Sequence, residues 1–113
     1  MKKEKIKVLA LLPMELPKEI ELDNTLEAMQ KFVDGNIECL TFYDSGSEVI
    51  LVCNDEGKYN GMRPCRAIYG EDREMMDIIF GPFFICDCST PYFGSLNKEQ
   101  LERYKKQFQN PEH

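Results

Sequence analysis

The sequence is poor in the side chains on which most catalytic sites depend. Its single histidine is the last residue, His113, and chain ends are poorly ordered in most domains. A cysteine–histidine dyad or a serine triad needs a base held beside its nucleophile, so we expect neither. Glycine patterns that cradle phosphates or dinucleotides are absent as well. Adjacent carboxylates at 55–56 and 71–72 fall in predicted loops, where they stay solvated, and we therefore expect no enzyme.

Metal-ligand patterns are also missing. Cys86 and Cys88 lie two apart in a predicted strand, so their thiols point to the same face. The chain has no C-x-x-C pair of the kind that structural zinc sites use. We therefore expect no metal and no other cofactor. The five cysteines are odd in number and fall mostly in apolar runs, which predicts buried, reduced thiols.

Long apolar runs and an excess of positive charge are absent too. No run approaches the ~20 apolar residues that cross a bilayer, and no signal peptide precedes the first strand, so we expect a cytoplasmic protein without a membrane role. The net charge is −6, whereas direct nucleic-acid binding needs a concentrated basic face. This balance predicts no direct nucleic-acid binding. An acidic surface can instead bind the basic surface of a partner protein.

What the chain does have is a series of short apolar runs separated by turn signals. Strands are predicted at 6–12, 18–22, 36–43 and 48–53, the last two as a hairpin. The run 75–87 is either a pair of strands or one strand broken at Gly81-Pro82, because proline cannot donate to a ladder. Amphipathic helices are predicted at 24–34 and 97–109. This order predicts an α+β class, with a small, mainly antiparallel sheet and both helices packed on it.

Capping signals support the two helices. Asn24 with Glu27, and Asn97 with Gln100, each have the spacing of a capping box. The length indicates a single domain, residues 1–113. A polar insert at 54–77 separates two of its core strands.

The insert is the candidate binding segment. Its first half combines amides, a phenol and cations in a chain that is otherwise acidic. Arginine forks recognise phosphates and carboxylates, and tyrosine offers a stacking face. The residues predicted to bind a ligand are Asn54, Lys58, Tyr59, Asn60, Arg63 and Arg66. The alternative is that the amides cap turns and the arginines pair with neighbouring acids, without any ligand.

Several stretches resemble an uncharacterised family of small domains carried by phages, plasmids and conjugative elements of Gram-positive bacteria. The resemblance extends from about Ile6 to Phe108. It is carried by VDGNIE at 33–38, LVCNDEGK at 51–58, NGMRPCRA at 60–67, DIIFGPFFI at 77–85 and FGSL at 93–96. Members of that family are described only as a domain of unknown function.

The resemblance implies a setting rather than an activity. Small acidic domains of mobile elements often act against host defence, by binding a defence protein or by sequestering its nucleotide signal. We therefore expect a non-enzymatic binding protein with an accessory or counter-defence role, acting on a host protein. The alternative is that residues 54–73 sequester a small nucleotide-like or anionic signalling ligand. The strand edge implied by Pro82 and the exposed aromatic residues are also compatible with a homo-oligomer.

Overall fold

The computed structural model describes residues 4–111. Within them, the apolar runs form strands and the amphipathic stretches form helices. His113, on which the expectation of no cysteine–histidine dyad depends, lies outside these residues. The elements in chain order are β1 (Lys5–Leu11), β2 (Lys18–Asp23), α1 (Leu26–Val33), β3 (Ile37–Leu40), β4 (Val49–Asn54), β5 (Pro64–Tyr69), β6 (Met75–Phe80), β7 (Phe83–Asp87) and α2 (Lys98–Gln107).

Five strands form one antiparallel sheet in the order β2-β1-β7-β4-β3. Its three central strands are the nearly continuous apolar runs, because both of their faces are covered. The edge strand β2 instead alternates charged and apolar residues, as a strand with one wet side does. The predicted α+β class, with a mainly antiparallel sheet and two helices, is confirmed. The predicted hairpin at 36–53 is confirmed as the pair β3–β4.

The sheet lies between two apolar layers. On one face, Met29 and Val33 of α1 pack against Val8, Val52 and Phe84. On the other face, α2 and the strands β5 and β6 cover a second cluster, whose aromatic members include Phe42, Phe83, Tyr104 and Phe108. Edge-to-face ring pairs join these four residues. In residues 4–111, neither helix is long and apolar enough to cross a membrane.

The N-terminal cap predicted for α2 is present, whereas the cap predicted for α1 is not. The capping box at Asn97 is present, since its side chain accepts from the Gln100 amide and the Gln100 side chain accepts from the Asn97 amide. At the first helix the expected cap is wrong by one residue. Thr25 is the cap and accepts from the amide of Ala28 at 3.1 Å. Asn24 instead donates its side-chain amide to the carbonyl oxygen of Phe93, which ties the start of α1 to the loop before α2.

The polar insert is folded more completely than the sequence suggested. The stretch 66–69, whose sequence is compatible with either a short strand or a single helical turn, belongs to β5, and β5 pairs with β6 in a separate two-stranded sheet. We call this pair the ribbon. The expectation that 75–80 pairs with 83–87 is therefore wrong, and the break at Gly81-Pro82 is the feature that separates them. Gly81 has φ +85° and approaches Met62 so closely that a β-carbon would lie 2.4 Å from its sulfur, so only glycine allows the chain to turn there.

Candidate functional site

Two bulges decide which side chains each face of the ribbon presents. Cys65 is an extra residue between the pairs Pro64–Phe80 and Arg66–Ile79, and Met76 is an extra residue on β6 at the other end. A bulge shifts the alternation of a strand by one residue. Consequently Cys65 and Arg66 are both buried although they are neighbours, while Met75 and Met76 are both exposed.

The inner face of the ribbon is anchored by Arg66, which is only 1% exposed. Its Nε donates to the carbonyl oxygen of Phe108 at 2.7 Å, and one terminal nitrogen donates to the carbonyl of Cys65 at 2.8 Å. The other terminal nitrogen donates to the carbonyl of Glu15 at 2.6 Å. One guanidinium therefore joins three segments: the ribbon, the loop after β1 and the end of α2. Charge-assisted hydrogen bonds of this kind are the strong ones.

The outer face of the ribbon carries no charged pair along its length. Cross-strand partners point to the same side of a sheet, and three successive outward pairs are apolar or aromatic: Pro64–Phe80, Ala67–Ile78 and Tyr69–Met75. The first two pairs are half-buried, whereas Tyr69 is 45% and Met75 60% exposed. We call these six residues the apolar strip. The turn at its end is acidic and contributes the exposed carboxylates Glu71, Asp72 and Glu74.

The tip of the ribbon is tied down. The amide of Tyr43 donates to the carbonyl oxygen of Tyr69 at 2.7 Å, and the guanidinium of Arg73 lies 5.2 Å from the centre of the Tyr43 ring. Within the turn, the Gly70 amide donates to the Glu74 carbonyl at 3.0 Å. These contacts hold the exposed end of the apolar strip against the body of the domain.

Asn54, the first residue of the predicted site, is buried and its hydrogen bonds are used inside the fold. Its side-chain amide donates to the carbonyl oxygens of Val33 and Asp34, both at 3.0 Å, and its oxygen accepts from the amide of Glu56 at 2.7 Å. These are carbonyls at the end of α1, which have no partner within the helix. Gly35 is needed beside them because a β-carbon there would lie 2.5 Å from the Asn54 side-chain nitrogen.

The remaining predicted residues lie at the surface. Lys58, Tyr59, Asn60 and Arg63 are all exposed, and Arg63 approaches the sulfur of Met14 at 3.1 Å. Arg63 therefore does not share the environment of Arg66, although the two are three residues apart. The guanidinium groups that the sequence presented as one cationic cluster are divided between the surface and the interior.

A hollow of about 200 Å³ lies between β6 and the β3–β4 hairpin. Of the predicted residues, it brings together Asn54, Lys58 and Tyr59, and it does not include the other three. We call it the acidic groove, because its rim carries more negative than positive groups. Its principal lining residues are Glu38, Asp55, Asp77, Lys58, Leu40 and Phe80.

The three carboxylates of the acidic groove all affect one group, the Cys53 thiol. Burial raises the pKa of the Cys53 thiol to about 12, and the charges of Glu38, Asp77 and Asp55 raise the same pKa further. Cys53 lines the acidic groove. All three carboxylates therefore contribute negative potential to its floor.

The cysteines do not form a metal centre in the part of the chain that is described. Cys39, Cys53, Cys65, Cys86 and Cys88 are all free thiols. Between residues 4 and 111, no group of three or more histidine, cysteine or acidic side chains is arranged to hold a metal ion. Burial raises the pKa of Cys86 to about 12, and the Cys88 charge adds to the effect. A thiol with such a pKa stays protonated and is a poor nucleophile at neutral pH.

The sequence reasoning missed the apolar strip and the acidic groove. A signal for the strip was present in the exposed trio Tyr69, Met75 and Met76, which flank the acidic turn. Glu38 and Asp77, by contrast, are 39 positions apart in the sequence, and no spacing rule connects them. Only the packing of the ribbon over the β3–β4 hairpin brings them to one groove.

Comparison with known proteins identifies the family of this chain. No curated protein and no solved structure matches it. A family profile described as Domain of unknown function (DUF3846) matches residues 6–109. These residues include every strand and helix from β1 to α2 except the first residue of β1. The chain therefore belongs to the DUF3846 family.

Proposed function

We propose that this protein is a non-enzymatic binding protein of a phage or other mobile element, and that it acts in the cytoplasm on a host protein. Its role is accessory or counter-defensive. The binding surface is the apolar strip with its acidic turn. The observation that carries this proposal is an apolar outer face on a two-stranded ribbon whose inner face is anchored in the core.

The first support is rigidity. The ribbon contributes Cys65, Ile68 and Ile79 to the same apolar cluster as the central strands and α2. Arg66 and the Tyr43–Tyr69 hydrogen bond fasten its two ends. A surface that is ordered before binding loses less conformational entropy when a partner binds. The strip is therefore suited to tight recognition.

The second support is composition. Tyrosine is enriched at the energetically dominant positions of interfaces, and methionine adapts to irregular partner surfaces. Contiguous exposed apolar patches on soluble domains mark interaction sites. The acidic turn at the end of the strip, with three carboxylates, would favour a partner whose apolar anchor is bordered by basic residues. The net charge of −6 also favours a partner with a basic surface.

The setting rests on the family resemblance described above. Domains of this kind on mobile elements often block host defence proteins, and occlusion of a protein surface requires binding but no chemistry. A basic, nucleic-acid-reading surface of a defence protein has the charge that would complement this chain.

Sequestration of a small anionic ligand is the alternative, and the acidic groove bears on it. The groove includes Lys58 and Tyr59, as that alternative requires. It also presents three carboxylates, which repel an anion. Arg66, one of the six residues predicted to bind a ligand, donates to backbone carbonyls instead. These observations favour a protein partner over a small anionic ligand.

The test is capture from a lysate of a Gram-positive host followed by reconstitution. The bait proteins are the wild type, the double variant Tyr69→Ser/Met75→Ser, and a matched control, Leu26→Ser/Tyr92→Ser, which removes one aliphatic and one aromatic exposed residue elsewhere. We expect a host protein that binds the wild type and the control but not the strip variant. The purified pair should then form a stoichiometric complex in calorimetry.

Two results would contradict the proposal. Equal binding of the host protein to the strip variant would show that the strip is not the interface. A thermal shift with a nucleotide or cyclic dinucleotide, lost in Lys58→Ala, would favour the alternative instead. A ligand at 100 times its Kd stabilises a protein by about 2.7 kcal/mol, which such a screen detects easily.

A further inference from the structure

We infer that the acidic groove receives one arginine or lysine side chain of the protein partner, an inference that rests on the proposed function. The groove adjoins the apolar strip at Phe80, which belongs to the strip and also lines the groove. Asp77 pairs with the buried Ile68 and therefore faces the other side of β6 from its neighbour Ile78. Because β6 pairs with β5 alone within residues 4–111, a partner seated on the strip reaches the groove around the unpaired edge of β6.

The charges of the groove select a cation. Glu38 comes from β3, Asp55 from the loop after β4 and Asp77 from β6. Among residues 4–111, Lys58 is the one basic residue in the lining. Three carboxylates against one ammonium leave an excess of negative charge. All three carboxylates raise the pKa of the Cys53 thiol at the floor, so their fields overlap inside the groove.

The shape of the groove selects a large organic cation rather than a metal ion. In the described residues, these carboxylates do not form a cluster that could coordinate a metal. A guanidinium spreads its donors over a planar fork and can reach carboxylates that are too far apart to share one ion. The volume, about 200 Å³, is of the order of a single long side chain.

The apolar residues of the groove favour a cation that carries a hydrocarbon stem. Leu40, Ile79 and Phe80 line the groove together with the carboxylates. Arginine and lysine bury their methylene stems along apolar surface while the charged head stays near polar groups. Tyr59, which is 86% exposed at the rim, offers a ring on which a guanidinium can stack.

The test is an NMR titration of the ¹⁵N-labelled protein with Nα-acetyl-arginine amide. Nα-acetyl-citrulline amide, which has the same shape without the charge, is the matched ligand. We expect saturable shifts of the amides of Glu38, Asp55 and Asp77 with the arginine compound at millimolar concentration, and none with citrulline. The double variant Glu38→Gln/Asp77→Asn should weaken the arginine response at least about threefold, in the range of exposed ion pairs.

The control variant is Glu71→Gln/Glu74→Gln, which makes the same change in net charge at the acidic turn. We expect it to bind the arginine compound as the wild type does. Equal shifts with citrulline, shifts that cluster outside the groove, or an equal loss in the control variant would each overturn this inference. If the groove fails to respond while strip-dependent capture persists, the inference alone is wrong. If the groove responds but no strip-dependent partner exists, the proposed function alone is wrong.

Discussion

The two faces of the ribbon differ in what their side chains do, although they are made from the same two strands. The inner face places Arg66, Ile68 and Ile79 in the interior, where they contact the core and the backbone of distant segments. The outer face places Tyr69 and Met75 in solvent. The side chains of the inner face stabilise the fold, whereas the exposed apolar side chains of the outer face have no such role.

This difference teaches where function should be sought in a chain whose sequence carries no catalytic motif. A cation in a polar insert draws attention as a binding residue, yet Arg66 belongs to the inner face and joins parts of the fold. An apolar residue near a turn is easily assigned to the core, yet Met75 belongs to the outer face. The two faces can be separated experimentally by their effects on stability.

The largest effect is expected from Arg66→Leu, compared with Arg63→Leu. Loss of the guanidinium removes donors from the carbonyls of Phe108, Cys65 and Glu15. Each buried polar group that loses its partner costs about 1–3 kcal/mol, so we expect the free energy of unfolding to fall by about 4 kcal/mol in urea denaturation. Arg63 is exposed, so Arg63→Leu should change the free energy of unfolding by less than about 0.5 kcal/mol. Equal effects of the two substitutions would contradict the assignment of Arg66 to the interior.

A smaller difference is expected between the neighbours Ile79 and Ile78. Ile79 lies in the main core cluster, whereas Ile78 is a half-buried member of the apolar strip. Ile79→Ala should lower the free energy of unfolding by about 3 kcal/mol, since it leaves a cavity. Ile78→Ala should lower it by about 1 kcal/mol, as a partly solvated side chain loses less burial. If the two urea midpoints shift equally, the ribbon does not have the two faces described here.

The smallest effect concerns the buried thiol of Cys65. Burial raises its pKa from 9.0 to about 12, partly opposed by Arg66. Above pH 9 the thiol of the unfolded chain loses its proton while the folded one keeps it, so this thiol's contribution to stability, present below pH 9, is lost between pH 9 and 12. At pH 10 the loss is about 1.4 kcal/mol, the free energy of one pKa unit.

Urea denaturation at pH 8 and pH 10 measures this contribution. The free energy of unfolding of the wild type should fall between the two values. In Cys65→Ala the fall should be smaller by about 1.4 kcal/mol, whatever the substitution costs at pH 8. An unchanged fall would mean that the thiol ionises equally in both states, and hence that it is not buried.

Much of the fold could be predicted because its signals are local. Both helices, with the exact cap of the second at Asn97, and the β3–β4 hairpin follow from spacing along the chain. The ribbon could not be predicted as such, because its strand β5 contains Arg66 among buried residues. The bulges at Cys65 on β5 and at Met76 on β6 also interrupt the alternation that identifies strands. The cap of α1 was misplaced by one residue because Asn24 has a tertiary partner, the carbonyl of Phe93.

The amino-acid sequence by itself determined the α+β class, the apolar central strands, the capping box of α2 and the acidic charge. These properties arise from interactions over a few residues or from composition. Only the tertiary structure decided that Arg66 and Asn54 bind the backbone of distant segments, and that Glu38 and Asp77 share one groove. Such pairings depend on how the ribbon packs over the sheet, and the free energy of that packing comes from contacts between residues far apart in the chain.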